Sequence, residues 1–212
     1  MSGPWTVEGV DEVRLTRLAE IIALKMRPGD LITLTGDLGA GKTTFARAVI
    51  RAMLADPEAE VPSPTFTLVQ PYATPRIDIA HFDLYRLTDA SEIDEIGFDE
   101  AVASGLALVE WPERAQGRLH GHHLDIALDV GFSPETRTLT LTPDASWTPR
   151  VARLSEIDAF ISDRAGTLRY LQGDASTRAY ARLIGTSASH VLMDRPSATA
   201  CPTARLHISP RT

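Results

Sequence analysis

The stretch Gly36-Asp-Leu-Gly-Ala-Gly41-Lys42-Thr43 constrains this chain more than any other. It fits the pattern G-x-x-x-x-G-K-[ST] at every fixed position. Glycines at those places let backbone N–H groups turn inward with no Cβ in the way, and inward amides cradle phosphate oxygens. Such a loop needs a strand leading into it and a helix leading out. Leu31-Ile-Thr-Leu-Thr35 supplies the strand, and Phe45, Val49, Ile50 and Met53 mark a helix from Lys42 to about Leu54. The helix start adds the positive end of its dipole. Lys42 would reach the β- and γ-phosphates, and the Thr43 hydroxyl would ligate Mg²⁺. A bound nucleotide is therefore expected.

The surrounding patterns fill out a fold. Val13, Leu15, Leu18, Ile21, Ile22 and Met26 follow helical spacing, with Asp11 placed to cap the start and Pro28-Gly29 to stop it. Thr65–Tyr72 and Ile77–Tyr85 read as strands joined by a turn around Thr74-Pro75, and a short helix is expected over Ser91–Ser104. Leu106-Ala-Leu-Val109 is a continuous apolar run, the pattern of a strand covered on both faces. Leu124–Val130 and Thr136–Thr142 alternate as a hairpin. Alternating strands and helices followed by paired strands predict an α/β fold, a P-loop NTPase-like three-layer sandwich with a mixed central sheet. A small irregular C-terminal appendage is expected beyond it.

Composition narrows the function classes. The 212 residues carry a net charge of −7, and 43% are apolar, so the chain can build a core. The single cysteine, Cys201, excludes a disulfide framework or a Cys-rich zinc site. No run approaches the roughly 18 apolar residues of a membrane span, and Met-Ser-Gly-Pro-Trp5 has no signal-peptide character. A cytoplasmic protein with no membrane association is expected. The charge is divided. Residues 1–149 hold 12 basic against 23 acidic side chains, or −11, whereas from Arg150 onward nine Arg face five acids, or +4. An acidic first part repels a nucleic-acid backbone. The break falls at the turn-rich Pro143-Asp-Ala-Ser-Trp-Thr-Pro149. The expected organisation is a P-loop domain over 1–148, a linker over 149–165, and a separate piece over 166–212 with a partly disordered tail.

A P-loop needs an acid to hold the metal, usually at the end of a neighbouring buried strand. Glu110 ends the apolar run 106–109 and is the better metal-side carboxylate; Asp83 ends the less regular strand 77–83 and would act through water on the same ion. Each acid also fits a cap or an ion pair with Arg86 or Arg114. Thr65, in Ser63-Pro-Thr65, fits either a switch-loop hydroxyl or a strand-starting turn. Trp111 fits a base- or ribose-stacking ring, or a cover over a strand end. His120, His122 and His123 read as solvated loop residues around Gly121 rather than a metal set.

Beyond the P-loop, Ser63-Pro-Thr-Phe66, His81-Phe-Asp-Leu-Tyr-Arg-Leu87, Ile96-Gly97 and Leu108-Val-Glu-Trp-Pro-Glu113 occur in the order found in the TsaE (YjeE) family, which this chain resembles over roughly Val10 to Leu141. The resemblance implies a small P-loop ATPase required for threonylcarbamoylation of the anticodon-adjacent adenosine of tRNA. It implies partners TsaD and TsaB, with tRNA contacted only indirectly through them. ATP would sit on Leu38, Gly39, Ala40, Gly41, Lys42, Thr43 and Thr44, with contacts from Trp111 and Arg137. Mg²⁺ would sit on Thr43 and Glu110, and Lys42, Asp83 and Glu110 would form the catalytic set. Hydrolysis is expected to be slow alone and faster with partners. Two other readings are a small-molecule kinase, for which no acceptor-site base is visible, and a non-catalytic nucleotide switch.

Near the C-terminus, Arg169-Tyr-Leu-Gln-Gly-Asp174-Ala-Ser-Thr-Arg178-Ala-Tyr180 resembles the opening strand–loop–strand of aminoglycoside-phosphotransferase-like kinases, and His190–Asp194 fits a following strand. The catalytic and metal-binding Asp loops of such kinases do not follow, so this piece is expected to be a truncated fragment without kinase activity.

Overall fold

The structure, a computed structural model, describes residues 3–162 and the backbone of three further strands at 167–171, 179–184 and 189–194. The first ten elements of the main body run β1 (Trp5–Val10), α1 (Glu12–Ala23), β2 (Asp30–Thr35), α2 (Lys42–Leu54), β3 (Val69–Tyr72), β4 (Ile79–Asp83), α3 (Glu92–Glu95), α4 (Phe98–Ser104), β5 (Leu106–Glu110) and β6 (His122–Val130). β7 (Arg137–Pro143) and α5 (Thr148–Ser162) complete it. Seven strands form one sheet in the order β1-β7-β6-β2-β5-β4-β3. β6, β2, β5 and β4 are mutually parallel, and β1, β7 and β3 join antiparallel at the two sides. The mixed α/β sandwich expected from the sequence is the fold observed.

Two cores explain the layers. α1, α2 and α5 bury Leu18, Ile22, Phe45, Ile50, Leu154 and Ile161 against Ile32, Leu34, Leu106, Leu108 and Ile126 on one face. Phe98, Val102 and Ile93 bury Leu31, Phe82, Ala107 and Val109 on the other. Residues of opposite parity in β2 and β5 thus enter opposite cores, which is why both strands read as unbroken apolar runs. α1 starts where its sequence placed it, with the Asp11 side chain accepting from Arg14 N at 2.8 Å. α2 spans the expected residues. The helix expected over 91–104 is split into α3 and α4 by Gly97, whose φ of 78° breaks the helical path. β1 has no counterpart among the expectations; it pairs with β7 through Trp5↔Leu141 and Val7↔Leu139.

The linker reading of 149–165 is wrong over its first fourteen residues. Residues 148–162 form α5, and Val151, Leu154, Ile157 and Ile161 lie in the same core as α1 and α2. The turn chemistry at 143–149 is a helix entrance. Asp144 Oδ1 accepts from Ser146 N and Trp147 N at 2.8 and 2.9 Å, and Asp144 O accepts from Thr148 N. Trp147 is fully buried and donates its indole N–H to His122 O at 3.0 Å. Arg150 closes a buried two-pronged ion pair on Asp30 at 2.7 and 2.9 Å. Asp, Ser and Pro mark turns and helix starts alike, and here a helix start won. The compact body therefore extends to about residue 162 rather than 148.

β8 (Thr167–Leu171), β9 (Ala179–Ile184) and β10 (Ser189–Asp194) form a separate antiparallel sheet in the order β10-β9-β8. The expected disordered tail and the Gly173–Arg178 loop lie outside the described residues. Among the described residues, no helix is long and apolar enough to cross a membrane.

Candidate nucleotide site

The sheet order determines which residues meet. β2, β5 and β4 are adjacent and parallel, so their C-terminal ends share one edge: the P-loop follows β2, Glu110 ends β5, and Asp83 ends β4 opposite Glu110 in the register. Ligands of open α/β sheets bind at this edge.

The start of the loop leaves no room for a side chain. Gly36 has φ 134°, and a Cβ there would meet Leu128 O at 2.2 Å, so the loop and β6 approach too closely for any other residue. Gly41, at φ 106°, forms the N-cap of α2. Lys42, the first residue of α2, is buried, and its ammonium donates to Gly36 O at 2.7 Å and Asp37 O at 2.9 Å. The same ammonium lies 3.6 Å from the centroid of the Trp111 ring. Burial pulls the Lys42 pKa below the ordinary lysine value, while Glu110, Glu113, Asp83 and Asp37 pull it back up. Thr43 Oγ1 donates to Glu110 Oε2 at 2.8 Å. Four of the expected residues thus meet here, Lys42, Thr43, Glu110 and Trp111.

Asp83 belongs to a neighbouring hydroxyl cluster. Its Oδ2 accepts from Thr65 Oγ1 at 2.7 Å and Ser63 Oγ at 3.1 Å, and its Oδ1 accepts from Tyr85 N at 3.2 Å. Thr65 is therefore tied to the acid that ends β4, one strand beyond Glu110, in addition to its turn role. Arg137 touches the loop rather than standing free for a ligand: Nε donates to Ala40 O at 2.9 Å, Nη2 to Gly39 O at 3.4 Å, and Nη1 to Pro134 O and Thr136 O at 2.8 Å. Its place is as a brace between the β6–β7 hairpin and the loop backbone. Trp111 has φ 60°, a left-handed conformation unusual for a bulky residue, and its ring packs against Tyr85 at 5.0 Å between centroids. Leu38 is 79% exposed at the loop tip.

Sequence reasoning overlooked His81 as a site residue. It is fully buried, and its Nε2 lies 2.9 Å from Glu110 Oε1. The signal was available: His81 stands two residues before Asp83 in a strand and so shares its face. The loop histidines divide. His122 and His123 open β6, with His123 Nε2 2.7 Å from the buried Thr33 hydroxyl. His120 packs edge-on to Phe98 at 5.4 Å. The expectation of a solvated loop fails for His122 and His123, which are the first residues of a strand because the chain after Gly121 pairs with β2. No group of three or more His, Cys, Asp and Glu side chains among the described residues could hold a metal ion.

A phosphate loop, a lysine and a hydroxyl–carboxylate pair at one sheet edge set the terms on which relatives can be judged. The family model of the threonylcarbamoyl adenosine biosynthesis protein TsaE matches residues 10–138. The chain belongs to the TsaE family. Similar relatives named tRNA threonylcarbamoyladenosine biosynthesis protein TsaE include one from Rickettsia felis, 40% identical over 120 residues, covering 57% of this chain and 70% of the relative. The Aquifex aeolicus relative is 42% identical over 121 residues, covering 57% and 82%. Among solved structures, YdiB of Bacillus subtilis is 27% identical with a TM-score of 0.61, covering 74% of this chain and 98% of that one. The TsaE match contains every site residue described above and stops before α5.

Proposed function

We propose that this TsaE-family chain binds and hydrolyses ATP with Mg²⁺ in support of threonylcarbamoylation of the anticodon-adjacent adenosine of tRNA, acting with TsaD and TsaB in the cytoplasm. The observation that carries the reading is the 2.8 Å Thr43–Glu110 hydrogen bond at the start of the P-loop helix, beside the buried Lys42.

The residues fit both groups. Hydroxyl and carboxylate oxygens are hard donors suited to Mg²⁺, and the glycine-rich loop leads directly into the N-terminus of α2, where backbone N–H groups suit phosphate. Thr43 and Glu110 would hold the ion, which when bound neutralises charge on the phosphate oxygens. Lys42 supplies a positive charge that can exchange its two carbonyl acceptors for phosphate oxygens. Asp83, held by Ser63, Thr65 and the Tyr85 amide, would act through water on the same ion. Arg137 fixes the Gly39 and Ala40 carbonyls, which keeps the loop in one conformation. No side-chain nucleophile is required: phosphoryl transfer to water depends on positioning and charge.

Partner dependence has its own support. Leu38, Phe66 and Phe132 are 79%, 82% and 93% exposed on the P-loop, the Thr65 loop and the β6–β7 hairpin, three segments bordering the site. Such side chains would count as a protein contact surface where a partner covers them together. The charge of −11 over residues 1–149 supports leaving contact with tRNA to the partners. In this reading the segment 166–212 is the opening piece of a phosphotransferase-like kinase and takes no part in the chemistry. The deciding experiment is reconstitution with TsaB, TsaD and tRNA, with and without Lys42→Ala. Modification and partner-stimulated ATP turnover should both be lost in the variant; retention of modification sinks the proposal.

A further inference from the structure

We propose that His81 is a positioning residue that holds the Glu110 carboxylate with one oxygen occupied and the other turned to Thr43, setting the geometry on which Mg²⁺ binding depends. The inference rests on the reading of Glu110 as the metal-side acid and adds a residue which that reading does not need.

Three observations carry it. First, the sheet register makes Asp83 the direct partner of Glu110, and His81, two residues earlier in β4, is its diagonal neighbour on the same face. The imidazole thus reaches Glu110 from within the sheet, away from the open edge. Second, the two oxygens of Glu110 are divided: Oε1 meets His81 Nε2 at 2.9 Å, and Oε2 accepts from Thr43 at 2.8 Å. With a partner at each oxygen, the plane of the carboxylate is fixed. Third, His81 Nδ1 is buried and has no hydrogen-bond partner among the described residues. The hydrogen-bond pattern therefore puts the ring proton on Nε2, donating to Glu110, because a proton on Nδ1 would be buried with nothing to receive it.

An ordinary core residue would not take this place. A leucine at 81 would fill the strand face without an unpaired nitrogen, and burying a polar ring with one unsatisfied atom has a cost. The Glu110 contact is the compensating interaction. Outer partners that orient a metal-binding carboxylate commonly change metal affinity by about 10- to 100-fold when removed.

The test uses the full chain and reads binding rather than turnover. ATP affinity is measured by calorimetry with EDTA and with Mg²⁺, and melting temperatures are recorded alongside, for wild type, His81→Phe, His81→Gln and Glu110→Gln. His81→Phe keeps the ring volume and loses the donor; the Gln amide can replace Nε2–H. The expected result is that His81→Phe loses about 10-fold or more of the Mg²⁺-dependent tightening, with Mg²⁺-free affinity unchanged. His81→Gln should recover that tightening to within about threefold of wild type. If His81→Phe responds to Mg²⁺ like wild type while Glu110→Gln does not, the His81 assignment fails and the Glu110 reading stands. Equal loss in His81→Phe and His81→Gln also overturns it, since the donor would then not be the cause. A wild-type Mg²⁺ response in Glu110→Gln removes the metal-side reading itself. Should His81→Phe not fold, the comparison of His81→Gln with Glu110→Gln decides: a wild-type response in the former alone supports the proposal, and loss in both overturns it.

Discussion

Replacing Arg150 with methionine should destabilise the whole body, not release a linker. Asp30 is fully buried and its carboxylate accepts three hydrogen bonds: Oδ2 from Arg150 Nη1 at 2.7 Å and Arg27 N at 2.7 Å, and Oδ1 from Arg150 Nη2 at 2.9 Å. The substitution removes two of them and leaves Oδ1 with no donor. Breaking a buried pair from one side costs about 3–5 kcal/mol, or roughly 6–20 °C in melting temperature for a body of this size. Burial already raises the Asp30 pKa above the ordinary aspartate value, against the opposing pull of Arg150. An acid whose pKa is higher folded than unfolded binds its proton more tightly in the native state, so its stability cost grows as pH rises above the unfolded value near 3.9. Without Arg150 the shift grows, so the variant's deficit should be largest at neutral pH and shrink on acidification. Adding Asp30→Asn to Arg150→Met removes the stranded charge and keeps an acceptor for Arg27 N. That double variant should regain most of the loss, to within about 1.5 kcal/mol of wild type. Thermal and urea unfolding followed by circular dichroism, from pH 5 to 8, measures all three proteins. A cooperative Arg150→Met protein losing less than about 1 kcal/mol, or a double variant no better than the single, would refute the reasoning.

Three further outcomes follow from the same geometry. Gly36→Ala places a Cβ 2.2 Å from Leu128 O at a φ of 134°, and should cost more than about 2 kcal/mol in urea unfolding because backbone meets backbone; an unchanged midpoint contradicts the close approach. Arg137→Ala frees the Gly39 and Ala40 carbonyls and should weaken ATP binding roughly 3- to 30-fold by calorimetry, and wild-type affinity would rule out the bracing role. Burial raises Glu20 from 4.5 to about 7, with Arg17 opposing. The native state thus loses stability as pH climbs from about 4.5 to 7, and Glu20→Gln should be more stable than wild type above pH 7 by about 1–3 kcal/mol, the full shift being reduced for partial exposure. The two proteins should match near pH 4, and a pH-independent difference would show that burial of charge is not the cause.

What the sequence made legible is what local chemistry dictates. The P-loop, the cap at Asp11 and the buried run ending in Glu110 each depend on a few consecutive residues, and each is found where expected. What it concealed depends on distant partners. Trp5–Val10 buries only Val7 and Val10, and only pairing with β7 makes it a strand. The segment 143–149 has turn composition, and its meaning is decided 120 residues away, where Asp30 waits for Arg150. Arg137 entered as a ligand contact only through the family resemblance; its hydrogen bonds to the Gly39 and Ala40 carbonyls depend on the hairpin's approach to the loop, which no local pattern shows.

The site owes its existence to one topological choice. Glu110 and Asp83 lie 27 residues apart in sequence, and they stand side by side only because β4 and β5 run parallel in register. Reversing either strand would carry its acid to the far end of the sheet, about 15 Å away for a five-residue strand. Parallel pairing also demands crossovers, here α3 and α4 between β4 and β5. Those helices cover the face opposite α2, so the apolar residues of β4 and β5 can be buried on both sides while His81, Asp83 and Glu110 keep the α2 face for polar contacts. A polar histidine in the middle of such a strand is tolerable only where a carboxylate meets it, and the register supplies that carboxylate. Fold and chemistry are therefore specified together at this edge: the pairing that builds the core is the one that aligns the acids with the P-loop.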